Sequence, residues 1–150
     1  MHVVLVEPEI PPNTGSIGRL CAATGTPLHL IEPLGFRIDD RHLRRAGLDY
    51  WPHVDARRYP SWPAFAATHP QGRFLLFSAR APRSYTCCRY AGDDFLIFGG
   101  ESRGLPDALR EQHAERLYGI PMQSVHVRSL NLATAVAIVL YEALRQLGRA

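Results

Sequence analysis

Five short apolar runs, separated by stretches with helical patterns, constrain the fold of this chain more than any other feature. They lie at residues 3–6, 28–31, 74–77, 95–98 and 117–120. The intervening patterns predict helices at about residues 15–23, 40–46, 62–68, 107–112 and 131–147. Strands that are buried on both faces read as continuous apolar runs, so this alternation predicts a parallel sheet covered by helices on both sides. With no visible repeat or boundary, residues 1–150 are predicted to form one α/β domain.

The same sequence argues against a membrane or secreted protein. It has no apolar run of about 18 residues or more, so no membrane span is expected. Residues 1–7 lack the basic region and cleavage site of a signal peptide and are typical of a first strand. Cys21, Cys87 and Cys88 form an odd set with two neighbours in sequence, which is a poor disulfide framework. We therefore expect a cytoplasmic protein with reduced thiols.

All 17 basic residues are arginine, and the formal net charge is +3. Because the guanidinium fork matches phosphate and stacks on bases, this composition permits a nucleic-acid partner without requiring one. Arg41, Arg44 and Arg45 lie near Tyr50 and Trp51, and this group is either an RNA-facing patch or a solvated surface. The seven histidines show no metal-ligand spacing with the cysteines, so no metal site is predicted.

The loop at residues 98–106 is the strongest candidate for a binding site. It follows an apolar run and places three glycines and a proline around Glu101 and Arg103. Glycine allows a sharp turn and lets a ligand approach the main chain, so we favour a ligand loop over a structural turn. The dinucleotide fingerprint and the P-loop pattern are both missing from the first turn, which disfavours an ordinary NAD enzyme or P-loop NTPase.

Polar residues follow other predicted strands as well, and in parallel sheets ligands bind beyond these carboxyl ends. Each has a competing structural interpretation. Asn13 is a candidate helix cap, and Arg19 a solvent-facing side chain. Glu101 and Arg103 are a possible surface ion pair of little energetic weight. The apolar stripe of the last helix is expected to pack in the core, or against a second subunit.

Three segments together resemble the three motifs of the SPOUT superfamily of RNA methyltransferases, in its SpoU branch. Residues 12–19 resemble the first motif, with an Asn, a Gly and an Arg at fixed spacing. Residues 98–106 resemble the second motif. Residues 120–122, followed by residues 128–132 and an apolar helix, resemble the third. Any one motif alone is weak, whereas all three in this order are specific.

Further segments narrow the resemblance to the small tRNA wobble-nucleotide 2′-O-methyltransferases. They are residues 7–15, 30–36, 43–50 and 141–147, so that the likeness extends over residues 3–147. It implies a Rossmann-like SPOUT fold with a C-terminal trefoil knot, in which residues 120–131 pass through the loop carrying residues 99–104. It also implies a homodimer that binds tRNA and S-adenosylmethionine, methylates the ribose 2′-hydroxyl of cytidine or uridine 34, and releases S-adenosylhomocysteine.

The resemblance also assigns roles to residues by motif. The catalytic candidates are Arg19, Asn13, Glu101 and Asn131. Arg19 is expected to bind the phosphate beside the target ribose, with the proton acceptor being either Arg19 or that phosphate. The cofactor-binding candidates are Phe77, Ser78, Gly99, Gly100, Ile120, Met122, Ser129 and Leu130. The RNA-binding candidates are Arg41, Arg44, Arg45 and Tyr141.

Two departures from the family pattern concern the cofactor loops. Gly100 stands where close relatives usually carry proline, and residues 123–127 are about one residue longer than usual. Two alternatives therefore stay open. One is a SPOUT enzyme that acts on ribosomal RNA or another tRNA position. The other is a non-catalytic RNA-binding module, which the intact Arg19, Glu101 and Asn131 disfavour.

Overall fold

A parallel β-sheet organises the computed structural model, which describes residues 1–36 and 50–149. Its strands are β1 His2–Val6, β2 Leu28–Ile31, β3 Ala56–Tyr59, β4 Phe74–Phe77, β5 Arg83–Ser84, β6 Phe95–Gly99 and β7 Leu117–Gly119. They form one sheet in the order β3-β2-β1-β6-β4-β7-β5, and each of these strands pairs with its neighbours in parallel. The helices are α1 Pro11–Thr24, α2 Trp62–Thr68, α3 Asp107–Gln112 and α4 Leu132–Gln146. The predicted parallel α/β sheet is thus confirmed.

The five strands predicted from apolar runs are all present, whereas β3 and β5 were not predicted. β3 is an edge strand with the sequence Ala-Arg-Arg-Tyr, and its two arginines are exposed. Arg57 binds Asp55 and Arg58 binds Glu32, so ion pairs satisfy the two arginines, while Tyr59 of the same strand packs against the core. β5 has only two residues at the opposite edge. The helix predicted at residues 40–46 lies outside the described residues.

Local sequence signals explain where the helices begin. α1 begins four residues before the predicted position because its two leading prolines fit the first turn, where no backbone N–H is needed. Ser61 caps α2 by accepting a hydrogen bond from the N–H of Ala64, at 3.3 Å. Asn131 caps α4 in the same way, with the N–H of Thr134 as donor at 3.2 Å. The last helix therefore follows directly from a residue of the third motif.

Helices cover both faces of the sheet. On one face α1 and α4 bury their apolar stripes against the central strands, with Ile17, Cys21, Val136, Val139, Leu140 and Ala143 in the core. On the other face Phe65 of α2, Leu109 of α3 and Leu105 of the loop before α3 belong to a second cluster that includes Val4 and Ile97. The stripe of α4 is accordingly a core stripe, as its spacing predicts.

Two buried polar groups lie away from the carboxyl ends of the central strands. Asp94 is fully buried, accepts two hydrogen bonds from Arg73 at 2.5 and 2.6 Å, and accepts a third from the N–H of Ala91. His29 is also fully buried, with its ring nitrogens 3.1 Å from His2 Nδ1 and 3.1 Å from the Tyr59 hydroxyl. Burial, and secondarily the nearby His2, lowers the pKa of His29 to about 3.

The three cysteines are free thiols. Within residues 1–36 and 50–149, none of the helices combines the length and the apolar character that crossing a membrane requires. The same part of the chain contains no group of three or more His, Cys, Asp or Glu side chains arranged to hold a metal ion.

Candidate active site

A cavity of about 550 Å³ opens at the carboxyl ends of the central strands. Eleven of the twelve residues predicted for catalysis or cofactor binding line it: Asn13, Phe77, Ser78, Gly99, Gly100, Glu101, Ile120, Met122, Ser129, Leu130 and Asn131. They come from four separate chain segments, and they converge because parallel strands deliver their following loops to one edge of the sheet. The twelfth residue, Arg19, does not line the cavity.

The glycine loop after β6 is a tight turn. The N–H of Gly104 donates to the carbonyl of Gly100 at 2.9 Å, and Gly104 has a φ of 68°, in the left-handed region. A Cβ at Gly99 would overlap the backbone of Gly104 and Leu105. One at Gly100 would lie only 2.5 Å from the Glu7 carbonyl oxygen. Glycine at position 99 therefore allows the tight turn itself, and glycine at position 100 allows this loop to approach the loop after β1 closely.

Two carboxylates bind these loops to each other. Glu101, after β6, accepts hydrogen bonds from the N–H groups of Glu9 at 2.7 Å and Ile10 at 3.2 Å, both after β1. In return, the Glu9 carboxylate lies 2.6 and 2.8 Å from the hydroxyl of Ser102, which donates to it. The hydrogen bond from the Ser102 hydroxyl lowers the pKa of Glu9, and the positive charge of Arg103 adds a smaller lowering effect. Each loop thus supplies an anion that the other loop binds.

A chain of side-chain amides extends this arrangement to α4. Asn13 Nδ2 donates to Glu101 at 2.9 Å, and Asn131 Nδ2 donates to Asn13 Oδ1 at 2.9 Å. Asn131 is both a helix cap and a member of this chain of contacts. Asn13 is not a cap, because Ile10 holds that position without a side-chain hydrogen bond. Among the described residues Glu101 forms no ion pair with Arg103, which removes the surface ion-pair interpretation.

Arg19 lies on α1 but points away from this group. Its guanidinium carbon is 4.6 Å from the centroid of the Tyr50 ring, and the Tyr50 hydroxyl donates to the carbonyl of Gly15 at 2.8 Å. Asn13 and Arg19 are six residues apart, which in an α-helix is a rotation of about 240°. The two side chains therefore leave different faces of α1, and the catalytic role of Arg19 stays a prediction.

The predicted RNA contacts are dispersed. Tyr141 is half-exposed on α4 and does not line the cavity. Trp51, which was considered with Tyr50 as a stacking group, packs closely against Gly18 of α1. Arg41, Arg44 and Arg45 lie outside the described residues.

The sequence analysis gave no binding role to the four described arginines that line the cavity, Arg80, Arg103, Arg110 and Arg128, although it placed Arg103 in the glycine loop. It also missed the contact between Glu9 and Ser102. The position of Arg80 directly after a strand end was the available signal for that residue.

The cavity is suited to a nucleoside-sized ligand. Its volume lies within the range of about 300–1,000 Å³ typical of small-molecule sites. Phe77 and Phe98 stack with ring centroids 5.0 Å apart and form an apolar wall. The glycine loop supplies exposed main-chain groups on another side. An aromatic base fits such a wall, and the hydrogen-bonding groups of a nucleoside fit such a loop, so the residues present are compatible with S-adenosylmethionine.

Comparisons with known proteins agree with this geometry. The sequence matches the SpoU rRNA Methylase family over residues 1–141. It is 49% identical to the tRNA (cytidine(34)-2′-O)-methyltransferase of Yersinia pestis, over 99% of this chain and 94% of that protein. A solved structure described as "Structural insights into the 2-OH methylation of C/U34 on tRNA" is 49% identical, has a TM-score of 0.92, and covers 99% and 97% of the two chains.

A third comparison concerns the cofactor. The SpoU methyltransferase AviRb from Streptomyces viridochromogenes, solved in complex with AdoMet, is 27% identical with a TM-score of 0.78. The match covers 97% of this chain and 57% of AviRb.

Proposed function

The chain belongs to the SpoU rRNA methylase family, and we propose that it methylates the ribose 2′-hydroxyl of the wobble nucleotide, cytidine or uridine 34, of tRNA. We propose S-adenosylmethionine as the methyl donor and S-adenosylhomocysteine as the released product. The observation that carries this proposal is the hydrogen-bonded group Glu101, Asn13 and Asn131 at the wall of one cavity. The substrate is supported by the 49% identity to the Yersinia pestis enzyme, whose name specifies tRNA cytidine 34.

The cavity residues account for the binding and orientation that this reaction needs. When bound, S-adenosylmethionine supplies a methyl group that is already electrophilic at its sulfonium. Phe77 and Ile120 would hold the apolar part of the cofactor, and the main chain around Gly99, Met122 and Leu130 its polar part. Fixing the reacting groups in line can lower a barrier by about 7–11 kcal/mol, so positioning is a sufficient task for the protein.

Arg19 contacts the RNA substrate, not the cofactor. A guanidinium is a poor free base. Arg19 binds the phosphate beside the target ribose and orients the hydroxyl. The hydroxyl proton leaves to that phosphate or, where the guanidinium has first lost a proton, to Arg19. The Tyr50 ring keeps the guanidinium near α1 until the phosphate arrives.

The proposal extends to the architecture of the whole chain. Residues 1–150 form a single methyltransferase domain, in which residues 120–131 thread the loop of residues 99–104 as a trefoil knot. Supporting this, Gly100 and Gly104 close that loop through a hydrogen bond, and Ile120 and Leu130 line the same cavity as the loop.

We also propose that the protein is a cytoplasmic homodimer. Ile10, Val125, Val127 and Tyr141 are large apolar side chains that are 44% to 91% exposed, which a second copy would cover. Light scattering on the purified protein measures the mass directly. A mass of one chain at micromolar concentration would contradict the dimer.

Labelled methyl transfer tests the function. The purified protein is incubated with total tRNA from a strain that lacks it and with methyl-labelled S-adenosylmethionine, and the labelled nucleosides are mapped. We expect the label in a 2′-O-methylated pyrimidine nucleoside at position 34. The Arg19→Ala variant should transfer no label, and the Arg116→Ala variant should transfer it as the wild type does. Label at another nucleotide would refute the proposed substrate position but support the assignment as an RNA methyltransferase. Cofactor binding without transfer would point to another RNA or a required prior modification, and no cofactor binding would overturn the enzyme assignment.

A further inference from the structure

The arginines of this protein divide into paired and unpaired groups. Five of them bind carboxylates: Arg57 to Asp55, Arg58 to Glu32, Arg73 to Asp94, Arg110 to Asp107 and Arg145 to Glu142. Within the described residues, Arg80, Arg103 and Arg128 are exposed and form no ion pair, and all three line the cavity. Three of the eight described arginines that form no ion pair therefore lie at the mouth of the candidate active site.

Hydrogen-bonded backbone turns carry two of these arginines. Arg80 follows β4 in a turn in which its own N–H donates to Ser78 Oγ at 3.2 Å. Arg103 lies in the loop closed by the Gly104 to Gly100 hydrogen bond. Arg128 is three residues before Asn131, whose side chain is fixed by Asn13. The three guanidinium groups thus extend from three separate loops around one opening.

The two carboxylates near the opening leave the three guanidinium groups free to bind an external anion. Glu101 accepts hydrogen bonds from two backbone N–H groups and the Asn13 amide. Glu9 accepts its side-chain hydrogen bonds from Ser102 and forms no ion pair with Arg103. Both carboxylates keep their negative charge, but three arginines outnumber them, so the opening has a net positive formal charge that attracts an anion.

We propose that Arg80, Arg103 and Arg128 bind the phosphates that flank the target nucleotide of the RNA. This inference rests on the proposed function and adds backbone contacts at the cavity opening to the single phosphate contact that the proposed function gives to Arg19. A ribose whose 2′-hydroxyl reaches the cavity leaves its neighbouring phosphates at the opening. The planar guanidinium matches phosphate with two parallel hydrogen bonds, so three loops with one arginine each suit a phosphate chain that crosses the opening.

Salt-dependent binding tests this assignment. An anticodon stem-loop RNA that contains nucleotide 34 is titrated with the wild type and with Arg80→Ala, Arg103→Ala, Arg128→Ala and the triple variant, over a range of salt concentrations. Arg89→Ala and Arg116→Ala are matched controls, because both arginines are exposed, unpaired and outside the cavity lining. S-adenosylhomocysteine affinity is measured by calorimetry for every variant.

We expect each single change at the opening to lower RNA affinity by about threefold to tenfold and to reduce the salt slope by about one. The control variants and all S-adenosylhomocysteine affinities should stay within about twofold of the wild type. Unchanged RNA affinity, or an equal loss in the controls, would overturn the assignment. A parallel loss of S-adenosylhomocysteine affinity would also overturn it, since the arginines would then bind the cofactor carboxylate.

The outcome is separable from that of the proposed function. If the arginine variants lose RNA affinity as expected but the wild type methylates a nucleotide other than 34, the phosphate contacts are supported and the proposed substrate position is refuted. If the wild type methylates nucleotide 34 and the three single variants do so with the wild-type KM, the proposed substrate position is supported and the phosphate contacts are refuted.

Discussion

Glu101→Gln isolates the contribution of the central carboxylate with little change in shape. The wild-type carboxylate uses Oε1 for the Ile10 N–H and the Asn13 amide, and Oε2 for the Glu9 N–H at 2.7 Å. Glutamine retains one oxygen. If that oxygen keeps the first two donors, an NH₂ group replaces Oε2 and faces the N–H of Glu9, so that two donors meet and the shortest bond is lost.

The size of this loss follows from the charge of the acceptor. A hydrogen bond to a charged group contributes about 1.5–3 kcal/mol. Glu101 is half-buried, so solvent screening places its value at the lower end, about 1.5–2 kcal/mol. If the loop positions the reacting groups, this free energy appears in the barrier, and each 1.36 kcal/mol is a factor of ten in rate. We therefore expect kcat/KM to fall by about 10- to 30-fold.

The assay is methyl transfer to an anticodon stem-loop, measured well below the melting temperature of each variant. Glu111→Gln is the matched control, because Glu111 is exposed and its carboxylate has no partner among the described residues. We expect the control to retain wild-type kcat/KM and cofactor affinity. A Glu101→Gln enzyme with more than half of the wild-type kcat/KM would show that the carboxylate does not hold the loops in their working positions.

Three further changes have defined outcomes. Gly99→Ala should lower S-adenosylhomocysteine affinity more than tenfold by calorimetry, because a Cβ there overlaps the loop backbone. Gly92→Ala should not, because its Cβ would meet only the Arg149 side chain, at an ordinary contact distance of 3.8 Å. Asp94→Asn should cost about 2–3 kcal/mol and lower the melting temperature by about 4–12 °C, while Asp93→Asn should shift it little. Because the folded-state pKa of His29 is about 3 and the unfolded value is near 6.5, the unfolded chain binds more protons between these values, so stability is lost as the pH falls through this window. Melting curves of His29→Phe should therefore depend less on pH from 6.5 to 4 than those of the wild type.

The central strands could be predicted from sequence because each is buried on both faces. A strand such as β6 has helices above and below, so all its side chains are apolar and the run is continuous. The edge strands carry no such signal. β3 is held by one neighbour and by ion pairs of Arg57 and Arg58, which are surface contacts that leave no apolar pattern.

The contents of the cavity were predictable for a related reason. Residues that directly follow strand ends must meet in a parallel sheet, which is why Ser78, Gly100 and Ile120 line one cavity. The contact between Glu9 and Ser102 joins positions 93 residues apart, and nothing in either local sequence specifies the partner. The direction of Arg19 relative to Asn13 depends on whether Asn13 belongs to α1, and the predicted helix began four residues too late to include it.

The choice of partners for the site carboxylates explains how one opening can be both rigid and positive. Glu9 and Glu101 are bound by N–H, amide and hydroxyl donors that belong to the loops themselves. An arginine that bound one of these carboxylates would also hold the loops together. Its guanidinium would then be paired within the protein, as that of Arg73 is with Asp94, and could not bind an external anion. Neutral donors fix the loops without occupying an arginine side chain, although both carboxylates keep their negative charge. The arginines on those loops consequently stay available for an external anion, so the hydrogen-bonded interior and the cationic opening are two consequences of one arrangement.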